Sequence, residues 1–150
     1  MNVHTGMMSG RRESTVQSSL SHIQFNVRTE NITFYKDLFT FLGWDIEHEG
    51  EDVLGVSANG GASVWFIGNA KDVSNDYDGT GMNHFAIGAE SQADVDAAAK
   101  HLTSKDVEML FETPRHRPEF SSENSTYYQI MFESPDRMLF EFVYTGPKQD

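Results

Sequence analysis

Two stretches decide the fold: LSHIQFNV at Leu20–Val27 and MNHFAIGA at Met82–Ala89. In the first, Ile23, Phe25 and Val27 alternate with His22, Gln24 and Asn26, which gives an extended chain one apolar and one polar face. In the second, Phe85, Ile87 and Ala89 alternate with His84, Ala86 and Gly88. Each stretch runs directly into a helix signal. Thr29 offers an N-cap ahead of Ile32, Phe34, Tyr35, Leu38, Phe39 and Leu42, which recur at helical spacing until Gly43 supplies a stop. Ser91 and Asp94 form a capping box ahead of Val95, Ala98, Ala99 and Leu102. The histidines at 22 and 84 stand 62 positions apart, and so do the caps at 29 and 91. Two structural repeats account for this better than coincidence does.

Working outward, three short strands are expected near Trp44–Glu49, Asp52–Ser57 and Ala62–Ile67, with Gly50 and Asn59-Gly60-Gly61 as turns. Gly68–Gly81 reads as a loop. Strands near Val107–Glu112, Thr126–Phe132 and Met138–Tyr144 complete the second half, and Thr113–Ser125 forms a long loop. The expected fold class is α+β, with two βαβββ repeats (20–67 and 82–145) making one barrel-like domain over 20–145. Residues 1–19 read as a flexible, polar N-terminal arm without the apolar segment of a signal peptide, and 146–150 as a tail.

Composition narrows the partners. With 11 basic against 23 acidic side chains the net charge is −12, a surface that repels phosphate backbones and anionic membranes. No nucleic-acid or membrane partner is therefore expected, and a cytoplasmic location is. The absence of cysteine excludes disulfides, thiolate metal sites and a cysteine nucleophile.

The polar strand faces carry the chemistry. His22 and His84 share the non-apolar faces of equivalent strands, and Glu141 sits in MLFEFVY between Phe140 and Phe142. A carboxylate there is costly to bury unless it is paired, protonated or bound to a cation. Two imidazoles and one carboxylate make a facial triad for a divalent transition metal, leaving positions for water and a bidentate substrate. Taken singly, a strand histidine is more often a hydrogen-bonded structural residue, and Glu141 alone would suit an edge strand facing water. The joint placement favours the ligand reading. In the loop TPRHRPEFSSENSTYY, Arg115 and Arg117 are candidate binders of an anionic substrate group, Tyr128 a further substrate contact and His116 an acid/base.

LSHIQFNV with FYKDLFTFLGW resembles the opening of the vicinal oxygen chelate superfamily, which comprises glyoxalases, bleomycin resistance proteins and extradiol dioxygenases. MNHFAIGAESQADVDAAAKHL resembles its second half, and YYQIMFESPDRMLFEFV its closing strand pair. The resemblance implies that His22, His84 and Glu141 hold a divalent metal ion (Fe, Mn, Zn or Ni), with Glu141 also catalytic. It implies a lyase, isomerase or dioxygenase acting on a small oxygenated substrate, in a homodimer. The alternative is a metal-free small-molecule binding or drug-resistance protein. Specific activities fit less closely. Glyoxalase I enzymes add a first-half ligand where this chain has Trp65, and extradiol dioxygenases place a catalytic histidine in the region that reads SSENSTYYQIMF here. Their closing turn is FESPDR here, with Ser134 and Arg137 at the usual Asp and Gly positions. Fosfomycin-type thiol transferases place a basic residue just after the metal Glu, where YTGPKQD offers only Lys148.

Overall fold

A computed structural model describes residues 13–150. Most of the expected N-terminal arm, 1–12, lies outside the described residues; 13–20 are exposed and without regular structure. The first repeat runs β1 (His22–Asn26), a 3-10 turn (Thr29–Asn31), α1 (Ile32–Phe41), β2 (Asp45–Glu49), β3 (Val53–Ser57) and β4 (Ser63–Ile67). The second runs β5 (His84–Gly88), α2 (Gln92–Ser104), β6 (Arg115–His116), a 3-10 turn (Pro118–Phe120), β7 (Thr126–Glu133) and β8 (Leu139–Gly146). Two four-stranded sheets result, ordered β1-β4-β3-β2 and β5-β8-β7-β6. In each the first strand pairs parallel with the last and the remaining neighbours are antiparallel.

The repeat extends to burial. Along HIQFN of β1 and HFAIG of β5, exposure follows the same sequence: exposed, half-buried, exposed, buried, exposed. The apolar faces of both sheets feed one core. Phe25 lies 5.5 Å from both Phe66 and Phe85 and 5.9 Å from Phe140, while Tyr35 of α1 stacks on Phe66 at 4.3 Å. Removing an aromatic ring from such a position costs about 3–5 kcal/mol. The helices meet at His101, which reaches Asp37 at 2.7 Å and stacks on Phe41 at 3.9 Å.

Local signals explain the element ends. Ser91 Oγ accepts from the Asp94 amide at 3.0 Å, so the expected cap of α2 is present. Thr29 does not cap α1; its hydroxyl donates to Asp52 Oδ1 at 3.2 Å and the helix enters through the 3-10 turn. Gly43 follows α1 at φ 85°, a left-handed conformation that glycine adopts without strain. The strand expected at Val107–Glu112 is absent. Phe111 and Glu112 have φ of 55° and 62°, which breaks the extended chain, and the pairing strand is instead the two-residue β6.

Tying the repeats together, the turn between β7 and β8 reaches the start of α1. Asp136 Oδ1 accepts from the Arg28 amide and Asn31 Nδ2, each at 3.0 Å, and Oδ2 from Tyr35 Oη at 2.7 Å. Burial, ahead of these contacts, pushes the Tyr35 phenol well above its ordinary range.

Candidate functional site

Strand register sets out the site. β5 and β8 pair so that His84 lies opposite Leu139 and Ala86 opposite Glu141, placing both candidate ligands on the sheet face away from the core. Both line one cavity of 460 Å³, with Arg117, Tyr127, Gln129 and Leu139. A 210 Å³ pocket adjoins it, sharing His84 and Leu139 and walled by Phe25, Met82 and Met138. A larger groove of 610 Å³ lies elsewhere, beside Arg28 and Asn69, but Arg28 is there committed to Asp72 and Asp136.

Glu141 is only 4% exposed. Two donors on β7 offset its burial: Tyr127 Oη to Oε1 at 2.6 Å, and Gln129 Nε2 to Oε2 in a short contact. Burial, then the bond to Glu141, pushes the Tyr127 phenol far above its ordinary range, so it is a donor at neutral pH. The register pairs Met131 with Glu141, which puts Gln129 and Tyr127 on the same face as the carboxylate.

His84 is oriented by its neighbour. Asn83 Nδ2 donates to the Tyr77 carbonyl at 2.8 Å, so its Oδ1 is the atom that faces His84 Nδ1, also at 2.8 Å. An oxygen acceptor there places the imidazole hydrogen on Nδ1 and leaves the Nε2 lone pair free, as a metal-ligating histidine requires. Tyr77 itself donates to Glu133 Oε1 at 2.5 Å, and that bond, with some burial, raises its phenol above the ordinary value.

His22 stands at the equivalent point of the other sheet, opposite Ser63 on β4, with Ser21 Oγ 3.0 Å from its Nδ1. Among the described residues no three of His, Asp and Glu gather closely enough within one chain to hold a metal. The structure therefore brings His84 and Glu141 together but leaves His22 apart from them. The helix-covered faces of both sheets share one core, and His22 is on the outer face of its own sheet. The same register resolves Trp65: it lies opposite Gln24 as Glu141 lies opposite Ala86, so it occupies the first-repeat counterpart of the carboxylate. Its ring rests on Gly55, where a Cβ would come within 2.7 Å of Cζ3, and its indole N–H donates to Ser63 Oγ at 2.9 Å.

The Arg115-His116-Arg117 triplet is split by strand alternation. His116 pairs with Tyr128 on the helix side of the sheet, the rings 4.6 Å apart, with His116 Nδ1 against Thr126 Oγ1. Tyr128 Oη donates to Asp96 of α2 at 2.5 Å, and burial followed by that bond pushes the phenol up to about 12. Tyr127, one residue earlier, is the tyrosine at the cavity. Arg115 pairs with Glu112 at 3.1 Å, and Arg117 Nε donates to Gln129 Oε1 at 2.5 Å. Tyr127, Gln129 and Asn83 escaped the sequence reading. The signal for the first two lay in counting back across the β7–β8 turn from Glu141.

Burial, then Lys148, lowers the His116 imidazole below its ordinary value, against an opposing pull from Asp96. Protonation thus favours the unfolded chain: the contribution is full above about pH 6.5, the unfolded value, and is lost as pH falls through the folded one. His116→Gln is expected to flatten the acid limb of stability. Urea midpoints at about pH 7.5 and 5 check this, and parallel losses in wild type and variant would refute it.

The family model for the Glyoxalase/Bleomycin resistance protein/Dioxygenase superfamily matches residues 19–142. The chain belongs to this superfamily. Solved structures of the glyoxalase fold agree. A glyoxalase-type protein of Bacillus halodurans is 24% identical with a TM-score of 0.72, covering 85% of this chain and 96% of its own. A glyoxalase/bleomycin resistance protein of Albidiferax ferrireducens is 15% identical with a TM-score of 0.64, over 85% and 98%. The fosfomycin resistance protein FosX of Listeria monocytogenes, complexed with Mn(II) and sulfate, is 22% identical with a TM-score of 0.62, over 86% and 91%. No curated protein matches the chain. Within this glyoxalase-superfamily chain, no helix among the described residues is long and apolar enough to cross a membrane.

Proposed function

We propose that this glyoxalase-superfamily protein is a metal-dependent enzyme acting on a small oxygenated substrate, by lyase, isomerase or dioxygenase chemistry. Its site would be completed across a homodimer: His84 and Glu141 of one chain with His22 of a second. The observation that carries this reading is the pairing of His84 and Glu141 on one cavity, each held by a polar partner, while His22 occupies the equivalent place on the other sheet. The donor set suits Mn, Fe, Zn or Ni, and FosX supplies a fold relative with Mn(II). A bound ion would supply Lewis acidity to vicinal substrate oxygens. Residues of the chain do the rest. Asn83 fixes the His84 ring, Tyr127 and Gln129 fix the carboxylate, and Trp65 adds an apolar wall with no fourth ligand. Arg115 remains available at the sheet edge for an anionic substituent once its exposed pair with Glu112 opens, an exchange that costs no more than about 1 kcal/mol.

A second reading, a metal-free binding protein, is favoured by Phe111 and Phe120 at the cavity, which are 49% and 66% exposed. Complementation separates the two. His22→Ala and Glu141→Ala chains, each purified without a chelating tag, should be metal-poor. Mixed through a denaturation–renaturation cycle, they should regain roughly a quarter of the wild-type metal, because heterodimers rebuild one of two sites. Metal-free wild type would favour the binding protein, and a metal-loaded wild type whose variants show no recovery on mixing would place the site within one chain.

A further inference from the structure

We propose that Arg117 is a positioning residue for Glu141, acting through the amide of Gln129. The inference rests on Glu141 being a metal ligand and assigns Arg117 a role that its place in a basic triplet does not suggest. Gln129 is 2% exposed in the middle of β7, where its amide has two possible orientations. Arg117 carries only donors, and its Nε donates to Gln129 Oε1 at 2.5 Å. The carbonyl oxygen therefore faces the guanidinium, and Nε2 faces Glu141 Oε2. The reversed amide would set its oxygen against the carboxylate and its NH₂ against the guanidinium, two like contacts at buried side chains.

Arg117 is itself anchored. Its amide donates to the Tyr127 carbonyl at 2.8 Å, and Nη1 lies 3.8 Å from Glu119 Oε1. Tyr127, two residues from Gln129 on the same strand face, takes the other carboxylate oxygen at 2.6 Å. The carboxylate is thus gripped at both oxygens from one strand, and the cation behind one grip sets its polarity. Partners of this kind hold a ligand in its binding rotamer, and losing one typically costs 10–100-fold in metal affinity.

Zn(II) affinity, read by competition with a chromophoric chelator, tests the relay in the full-length protein. Arg117→Met and Gln129→Met should each weaken Zn(II) binding by about 10–100-fold. The double variant should be no weaker than the worse single, because both break one path. Lys100→Met, at an exposed cation of α2, should bind as wild type does. Melting in excess chelator should leave Arg117→Met folded and nearer to wild type than Gln129→Met, which also unpairs a Glu141 oxygen, and this separates a lost grip from a damaged fold. Should Gln129→Met fail to fold, Arg117→Met, altered at a partly exposed side chain, decides alone. Full Zn(II) affinity in Arg117→Met, or additive losses in the double, would overturn the relay while leaving the metal reading intact. A wild type that binds Zn(II) no better than Glu141→Gln would remove both.

Discussion

Asp136→Ala is expected to lower the melting temperature by roughly 6–12 °C, the equivalent of about 3 kcal/mol in a chain of this size. Asp136 is buried and accepts from the Arg28 amide, Asn31 Nδ2 and Tyr35 Oη, three donors from the entry to α1. Alanine leaves the amide and Asn31 without this acceptor in a half-closed environment, each at about 1 kcal/mol or more. Tyr35 keeps one fallback, because its hydroxyl also reaches Ser134 Oγ at 2.9 Å. The effect should be one of folding and not of the site, since none of these groups lines the cavity at Glu141. Tyr35→Phe should cost less than Asp136→Ala, and the double variant less than the two combined, because both remove the same bond. Thermal melts of the three variants check this. A loss below about 1 kcal/mol for Asp136→Ala would mean that the turn and α1 are held by core packing alone.

That contact also shows where the sequence stops being legible. The strands around His22 and His84 can be read from alternation because one face of each is buried in the core and the other is exposed, a pattern written residue by residue. Glu141 could be singled out because a carboxylate between two phenylalanines in a strand demands a partner. The strand expected at Val107–Glu112 fails for a local reason that composition conceals. Val107, Met109 and Phe111 alternate as a strand would, yet Phe111 and Glu112 turn left-handed to deliver β6. How the repeats sit on one another depends on Phe25, Phe85 and Phe140 meeting in one core and on Asp136 reaching across to α1. Nothing in either repeat alone encodes those contacts, so three candidate ligands could be named from pattern while their separation within one chain could not. The Tyr127–Tyr128 pair lies between these cases. Choosing between them needs only the register of one hairpin, and the turn at Ser134–Arg137 sets it.

Glu141→Gln is expected to reduce metal affinity by well over 100-fold, more than the 10–100-fold of losing a supporting partner, while leaving the fold close to wild type in chelator. The substitution keeps the side chain's size and one acceptor oxygen but removes the anionic donor. Its cost to folding is bounded by geometry. The new amide can accept from one of the two present donors, and the Tyr127 hydroxyl can rotate to accept from the NH₂ if Gln129 keeps its place. At most one buried donor then goes unpaired, at about 1–3 kcal/mol, or roughly 2–12 °C in melting temperature with chelator present. Calorimetric titration of Zn(II) into wild type and variant, with melts in excess chelator alongside, reads both quantities. The ratio carries the meaning. A variant that melts as far below wild type in chelator as Asp136→Ala does, and still binds metal, would make Glu141 a structural acceptor for Tyr127 and Gln129. The buried carboxylate would then serve the β7–β8 pair, and the cavity would be a binding pocket lined by Phe111 and Phe120.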